Sequence, residues 1–451
     1  MGHIAAKDLY NNLGHKIDSL TMKAPANKAF YSILKELYSR EEAEVIIKMP
    51  YMLSNYSTIK QATGLAEHKL RKILEGLCYK GLVFDVFVNG EYQYMPTPII
   101  IGIYEFTMMR VTDSLDYPKI SKLFHEYLLG NDSVFSSNFG NSERFSISRA
   151  LPHIESVQDS PHVQILDYER ATTLIEEADK FALGICSCRH KKLHLGEKKC
   201  TTPLNTCSSF GYGADYMIRR NMAKEVSKTE MLENIAHSKE QGLMLEADNV
   251  QRHVVFLCHC CKCCCTMLSA INDLGYSNAI VTSNFIASPD SDLCMGCGKC
   301  ADACPVNAIT LVHDPQLKTE SQKKPVVDTS LCLGCGVCGI QCHTKGITLV
   351  NRDKRVIHPE TTFQRVVLQS LERGNLQNFM FDNPWKVTHK FMRTFVGTFL
   401  NLPPVKKALL SDQLRSKFLT SLEKGVILQG RGWILRKNYV GGKRKGFRLF
   451  K

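Results

Sequence analysis

Long apolar runs are missing from this chain. No stretch of about 18 uncharged apolar residues occurs, so no membrane-spanning helix is expected. Met1 to Leu20 has no apolar h-region, and position 6 is Ala6 rather than Ser or Thr, so neither a secretory leader nor N-myristoylation is expected. No Gly-x-Gly-x-x-Gly opens a helix, and no Walker loop, nucleophile elbow or His-Glu-x-x-His is present. Dinucleotide, nucleoside triphosphate and zinc-protease chemistry are therefore unsignalled, and no residue is singled out as catalytic. Without a secretory signal, and with an odd count of 19 cysteines, disulfides are not expected either. The expected location is the cytoplasm.

What is present is ordinary bulk and unusual thiol. At 451 residues, 44% apolar and 22% charged, the chain is a globular protein of two to four domains. Its net charge of +13 is concentrated at one end: Pro384 to Lys451 holds 16 Lys and Arg against Asp412 and Glu423. The remainder is close to neutral, which argues against a basic body gripping nucleic acid. Eighteen of the 19 cysteines lie between Cys186 and Cys342. Thiols crowded in this way in a reducing compartment point to metal, and their ease of oxidation points to an anaerobic or protected setting.

The first third reads as helices and a hairpin. Phe30, Ile33, Leu34 and Leu37 share one helix face. Ser57 is the expected N-cap of a short helix to Ala62, and Thr63-Gly64 a turn. A third helix carries Leu70, Ile73, Leu74 and Leu77 and stops at Gly81. Cys78 beside this stripe reads as a core thiol. Two β-prone runs flank Asn89-Gly90, the strongest short hairpin signal. This order resembles a winged-helix domain, which implies DNA binding or protein docking. Between Pro25 and Pro98 nine Lys and Arg face eight Asp and Glu, and Lys69, Arg71 and Lys72 alternate with Glu67 and Glu75. Phosphate contact needs unopposed cations, so DNA is the weaker option.

Further on, helices are expected at Tyr104 to Arg110 and Lys119 to Leu129, and a loop at Asn131 to Ser148. Strands are expected at Val163 to Tyr168, Val254 to Leu257 and Ala279 to Val281. Helices are expected at Ala171 to Phe181, from Ser227 to Lys239, after the cysteine run to Leu274, and at Thr362 to Arg373. A small α/β unit with cysteines at strand ends follows from this pattern.

Residues 292–312 and 330–350 repeat each other, with 11 of 21 positions identical. Each copy is Cys-x2-Cys-x2-Cys-x3-Cys: Cys294, Cys297, Cys300, Cys304 and Cys332, Cys335, Cys338, Cys342. Three thiols at spacing three wrap a loop round one face of a cluster, and Gly296, Gly298, Gly334 and Gly336 let backbone N–H groups approach it. Structural zinc ordinarily uses two Cys-x2-Cys hooks, not duplicated triplets. The segment resembles a bacterial two-cluster ferredoxin. The resemblance implies one 4Fe–4S cluster on Cys294, Cys297, Cys300 and Cys342, and another on Cys332, Cys335, Cys338 and Cys304. Pro305 follows the first repeat as the family has it, whereas His343 stands in that place in the second. The linker between the repeats is long and implies a polar loop around Pro315 to Lys324.

A second thiol set comprises Cys186, Cys188, Cys200 and Cys207, then Cys258, Cys260, Cys261, Cys263, Cys264 and Cys265. The pieces Cys186-Ser187-Cys188-Arg189, Cys200-Thr201-Thr202-Pro203 and Cys207-Ser208-Ser209-Phe210-Gly211 resemble longer ferredoxin-type proteins of anaerobes. One or two further iron–sulfur clusters, or zinc, are implied. The simplest ligand set is Cys186, Cys188, Cys200 and Cys207, with four of the six cysteines at 258–265 available for a further cluster, and sets mixing the two segments remain open. Arg189, Lys191 and Lys192 either balance thiolate charge or form a solvated loop. His190, His194 and His259 read as neighbours of the site rather than ligands.

The expected architecture is an α+β multidomain chain. It comprises a winged-helix-like unit at 21–112, a helical linker and loop at 113–162, a cysteine-rich cluster-binding unit at 163–290, a two-cluster ferredoxin unit at 291–352 and a helical basic segment at 353–451. The expected role is single-electron relay between redox partner proteins. Two alternatives stand beside it: a redox-sensing winged-helix regulator, and a reductase with an active cluster in 186–265. In the tail, Phe391, Phe395 and Phe399 form an aromatic stripe among Lys386, Lys390 and Arg393. It either packs on the core, docks an acidic partner or lies on an anionic membrane at the cytoplasmic face.

Overall fold

The computed structural model describes residues 2–141, 143–160, 163–315 and 322–435, with side chains from Asp8 onward. Most of the expected polar loop between the repeats, and the basic end from Gly441, lie outside these residues.

Helix α1 (Gly2–Asp18) packs Leu13 and Ile17 into the first core. In α2 (Lys28–Leu37) the four residues of the expected stripe are all buried. The next helix, α3 (Arg40–Lys48), opens on a capping box between Ser39 and Glu42. After β1 (Ser54–Asn55) comes α4 (Tyr56–Thr63), whose N-cap is Asn55 rather than Ser57. Asn55 Oδ1 accepts from Thr58 N at 3.0 Å, and Ser57 spends its hydroxyl on the same oxygen. Helix α5 (Glu67–Tyr79) buries Leu70, Ile73, Leu74, Leu77 and Cys78. Strands β2 (Val83–Val88) and β3 (Glu91–Pro96) pair antiparallel across Asn89 and Gly90, at φ 52° and 89°, as a two-residue turn with both φ positive. The sheet order is β1-β3-β2.

Helices α6 (Tyr104–Met109) and α7 (Tyr117–Leu128) match the expected pattern. The stretch expected as a loop contains α8 (Ser133–Phe139). Its Ser and Asn content hides three apolar anchors, Val134, Phe135 and Phe139, which are buried. Asn138 is buried too and bonds back to the Val134 carbonyl at 2.8 Å.

Strand β4 (Ser148–Leu151) joins a later sheet. Residues 163–168, expected as a strand, pair with no strand among the described residues and close on a short turn of 3-10 helix at Asp167–Glu169. Helix α9 (Ala171–Glu177) ends early, because Phe181 opens β5 (Phe181–Ile185). Then follow α10 (Ser187–His194), β6 (Asn205–Phe210), α11 (Gly211–Arg219) and β7 (Ala223–Glu225). Ser227 caps α12 (Lys228–Glu240) with a capping box to Glu230. Next come β8 (Met244–Asp248), β9 (Phe256–Cys260) and α13 (Thr266–Asn272). Ala279 to Val281 is no strand; Val281 makes one bridge to Arg149. The six strands run β4-β8-β9-β6-β5-β7, every neighbour antiparallel. Only β5–β6 and β8–β9 are consecutive in sequence; β4–β8, β6–β9 and β5–β7 meet through longer connections, and all five pairs are antiparallel.

Alternation assigns the two faces of this sheet. Leu245, Ala247 and Leu257 pack against Leu174, Ile175 and Met231 of α9 and α12. Glu246 lies directly opposite Cys258, and Met244 opposite Cys260, on the other face. That face carries the thiols.

Strand β10 (Phe285–Pro289) pairs with β13 (Ile347–Asn351), and β11 (Ile309–His313) with β12 (Lys323–Val327). Each cysteine loop runs into a short helix, α14 (Lys299–Ala303) or α15 (Val337–Ile340), so the sequence repeat is a structural one.

Helix α16 (Thr362–Glu372) is tied to β8 by Arg365 on Asp248 at 2.9 Å. It is followed by α17 (Leu376–Met380), α18 (Val387–Leu400), α19 (Pro403–Leu410) and α20 (Asp412–Leu428). Their core is Phe145, Leu368, Leu371, Leu376, Leu400 and Leu419. The aromatic stripe does not join it: Phe391, Phe395 and Phe399 are 67%, 66% and 56% exposed. The core-packing expectation fails here because Val396, Gly397 and Leu400 take the inner side of α18. Among the described residues no helix is long and apolar enough to cross a membrane.

Candidate metal centres

The ferredoxin-like repeat brings its cysteines together across the two copies. Cys304, from the first copy, lines one small cavity with Cys332, Cys335 and Cys338 of the second, closed by Val306 and Leu349. All four thiols are buried. Cys300 has Cys294 and Cys342 as its charged neighbours, again one thiol from the opposite copy. Here Cys297 is exposed and the other three are half-buried. One site is therefore enclosed and the other opens on the surface, next to exposed Leu293 and Met295.

The backbone supports both loops. Gly334, at φ 69°, passes so close to β10 that a Cβ would stand 2.1 Å from the Phe285 carbonyl oxygen. Ser156 Oγ donates to the Gly336 carbonyl at 2.6 Å, and His153 N to the Cys335 carbonyl at 2.9 Å. Backbone N–H groups reach sulfur as expected: Gly296 to Cys294 Sγ at 3.4 Å and Ala308 to Cys304 Sγ at 3.2 Å. The Arg352 guanidinium donates to the Cys332 carbonyl. Burial pushes the Cys335 thiol up to about 12 and the Cys338 thiol well above its usual range, with neighbouring thiols adding to both. A cation among them is what would hold them as thiolates.

The other ten cysteines separate into two groups, not along the simplest sequence division. Cys200 leaves Cys186, Cys188 and Cys207 and joins Cys261, Cys263 and Cys264, all four sulfurs lying within 4.8 Å of one another. The remaining six form a chain of thiol contacts: Cys186 to Cys188, Cys188 to Cys265, Cys265 to Cys260, Cys260 to Cys258, and Cys258 to Cys207. Alternation in β9 puts Cys258 and Cys260 on the same face, and Thr266, opening α13, donates its N–H to Cys188 Sγ at 3.5 Å. Hydrogen bonds from the Cys186 and Cys265 thiols hold Cys188 well below the usual thiol range, and those from Cys207 and Cys260 do the same for Cys258.

Two acids that no sequence motif marks stand beside this group, Glu246 buried and Glu105 half-buried. Glu246 accepts from Cys260 Sγ at 3.1 Å; burial, then Cys258, raises its carboxyl to about 8. Glu105 is raised to about 8, chiefly by burial, with Cys188 and Cys258 adding to it. The signal for Glu246 was an acid in an apolar strand, in the alternation that also orients Cys258 and Cys260.

Two of the three cations are buried, so the solvated-loop option fails for them. Arg189 donates to Thr206 Oγ1 at 2.5 Å and to the His259 carbonyl, beside Cys186 and Cys261. Lys191 Nζ donates to Thr266 Oγ1 at 3.0 Å, and burial lowers it to about 8 with Cys188 opposing the shift. Lys192 pairs with Glu197 at 2.5 Å at the surface. The histidines are engaged elsewhere. His259 bonds Ser238 at 2.6 Å and Ser208 at 2.9 Å through its two ring nitrogens. His190 bonds the Met108 carbonyl at 2.6 Å and His194 at 2.9 Å.

Residues 293–346 match the family of 4Fe–4S dicluster domains. The match indicates two 4Fe–4S clusters, and the enclosed four-thiol cavity with N–H groups on sulfur fits such a group. The further cysteine groups are competent for additional clusters or zinc. Neither a curated protein nor a solved structure matches the chain.

Proposed function

We propose that this protein relays single electrons between redox partners, with one 4Fe–4S cluster on Cys332, Cys335, Cys338 and Cys304 and another on Cys294, Cys297, Cys300 and Cys342. The observation that carries the reading is the cavity in which Cys304 meets the three thiols of the other repeat. A 4Fe–4S cluster, when bound, supplies one-electron outer-sphere chemistry. The chain supplies the rest. Gly296 and Ala308 direct N–H groups at sulfur, which favours the reduced, more negative state. Burial of one thiol set excludes water. Exposure of Cys297 beside Leu293 and Met295 makes the other set the docking end.

In this reading Cys186, Cys188, Cys207 and Cys258, with Cys260 and Cys265 adjacent, take a further iron–sulfur cluster as an additional relay station. Arg189 and Lys191, buried beside the thiols, offset its charge. A second reading, a reductase with an active cluster in 186–265, is favoured by one observation: six thiols and Glu246 meet where a cubane needs four ligands. The N-terminal helices and hairpin, winged-helix-like in order, serve docking rather than DNA. Lys69 pairs with Glu41 at 2.7 Å and Arg71 with Glu67 at 2.8 Å, which consumes two of the three cations a DNA reading would use. The hairpin is held down as well, with Asp85 on Arg219 at 2.6 Å and Arg220 at 2.9 Å. The proposed location is the cytoplasm, with the aromatic stripe and basic tail at the inner face of the membrane.

The test is reduction of the anaerobically purified full chain under electron paramagnetic resonance. Relay predicts reversible one-electron signals of reduced 4Fe–4S clusters that candidate small ligands do not alter. A ligand-dependent change confined to the upstream cluster would favour the reductase.

A further inference from the structure

Cys200 comes from the loop before β6, and Cys261, Cys263 and Cys264 from the turn between β9 and α13. Their sulfurs stand 3.6 Å (Cys200 to Cys261), 3.9 Å (Cys200 to Cys264), 3.8 Å (Cys261 to Cys263) and 3.4 Å (Cys263 to Cys264) apart. Four sulfurs bound to one tetrahedral ion at about 2.3 Å lie about 3.8 Å apart along every edge. A cubane puts a cage of irons between its ligands, so thiolates on different corners stand further apart than thiolates on one ion. The same molecule provides the comparison. Among the described residues, no three of the eight cysteines in the ferredoxin-like repeat have their sulfurs within 4.8 Å of one another, whereas all four of this group do.

We propose that Cys200, Cys261, Cys263 and Cys264 hold a single zinc ion in a closed four-thiolate site, separate from every iron–sulfur cluster of the chain. Closed coordination by four cysteines is the form of structural zinc and leaves no position for a substrate. Neighbouring side chains support the four thiols from outside. Arg189 lies against Cys261, Leu243 packs with buried Cys261 and Cys264, and Lys198 Nζ holds the Cys200 carbonyl at 2.5 Å. The site joins positions 61 residues apart in sequence, anchoring the loop before β6 to the end of β9. It also fixes the turn whose flanking residues are Cys260 and Cys265, both members of the six-thiol group. The ion is therefore a redox-silent clamp that orients the neighbouring thiols.

The test uses the full chain expressed and purified without oxygen. The expected result is about one zinc per chain, with zinc-edge X-ray absorption showing four sulfurs at about 2.3 Å and no iron neighbour. Cys200→Ser should remove that zinc and leave iron and acid-labile sulfide unchanged. The proposal is overturned if Cys200→Ser takes out iron and sulfide instead, or if the zinc of the unsubstituted protein is absent or bound through nitrogen and oxygen. The absorption spectrum of the unsubstituted protein decides the matter even if the variant does not fold. Failure of the electron-relay reading leaves this result untouched, since zinc is counted separately from iron.

Discussion

Cys304 and Cys335 belong to different copies of the cysteine repeat, yet they line one cavity. The crossing has a direct consequence. Cys304→Ala should damage the cluster of the second repeat, and Cys342→Ala that of the first, each with loss of about four irons per chain. Iron analysis combined with the spectra of the surviving cluster checks this. Damage confined to the mutated repeat would contradict the crossed ligation.

Duplex DNA should bind weakly. The ion pairs of Lys69 and Arg71 leave few cations for phosphate on α5. A fluorescence titration at physiological salt should give a Kd of about 10⁻⁵ M or weaker, insensitive to sequence and to oxidation state. Tight, sequence-dependent binding would favour the regulator.

The aromatic stripe should serve a surface rather than the fold. Replacing Phe391, Phe395 and Phe399 by Ser removes rings that are more than half exposed, so Tm should hardly move. Co-sedimentation with anionic vesicles should fall about tenfold or more. Unchanged sedimentation with impaired, salt-sensitive electron transfer would move the stripe to an acidic partner protein. Truncation at Asn383 is a poorer test, because Leu400 and Leu419 go with it and both belong to a core.

Acid should destabilise the chain partly through His358. Its ring is buried beside Arg149 and bonds Asn249 at 2.8 Å; burial first, then Arg149, holds its pKa well below the usual value. The unfolded imidazole takes up a proton near pH 6.5, while the folded one stays neutral. The stability this group contributes is therefore full above about pH 6.5 and is lost progressively as pH drops below it. Thermal unfolding of His358→Gln should show a shallower pH dependence than the unsubstituted protein over that range. An identical slope would remove His358 from the account.

Elements built on local signals were legible in the sequence. The cysteine repeat, the Asn89-Gly90 hairpin, the stripe of α5 and the cap at Ser227 each rest on residues a few positions apart. The capping box Ser39–Glu42 that opens α3 is an equally local signal. Tertiary facts were not legible. That Cys200 joins Cys261 instead of Cys186 depends on which way the loop before β6 folds. Helix α8 hid behind Ser and Asn because its apolar anchors find partners only in the assembled core. The strand expected at 163–168 had suitable residues and no neighbour to pair with.

On the proposed function, iron–sulfur chemistry extends beyond the ferredoxin-like repeat to the six-thiol group. Iron and acid-labile sulfide, counted on the anaerobically purified full chain, test it most directly. The account predicts more than about eight of each per chain, since two cubanes supply about eight and the six-thiol group adds more, with zinc near one. Eight irons or fewer, with all further metal as zinc, would contradict it.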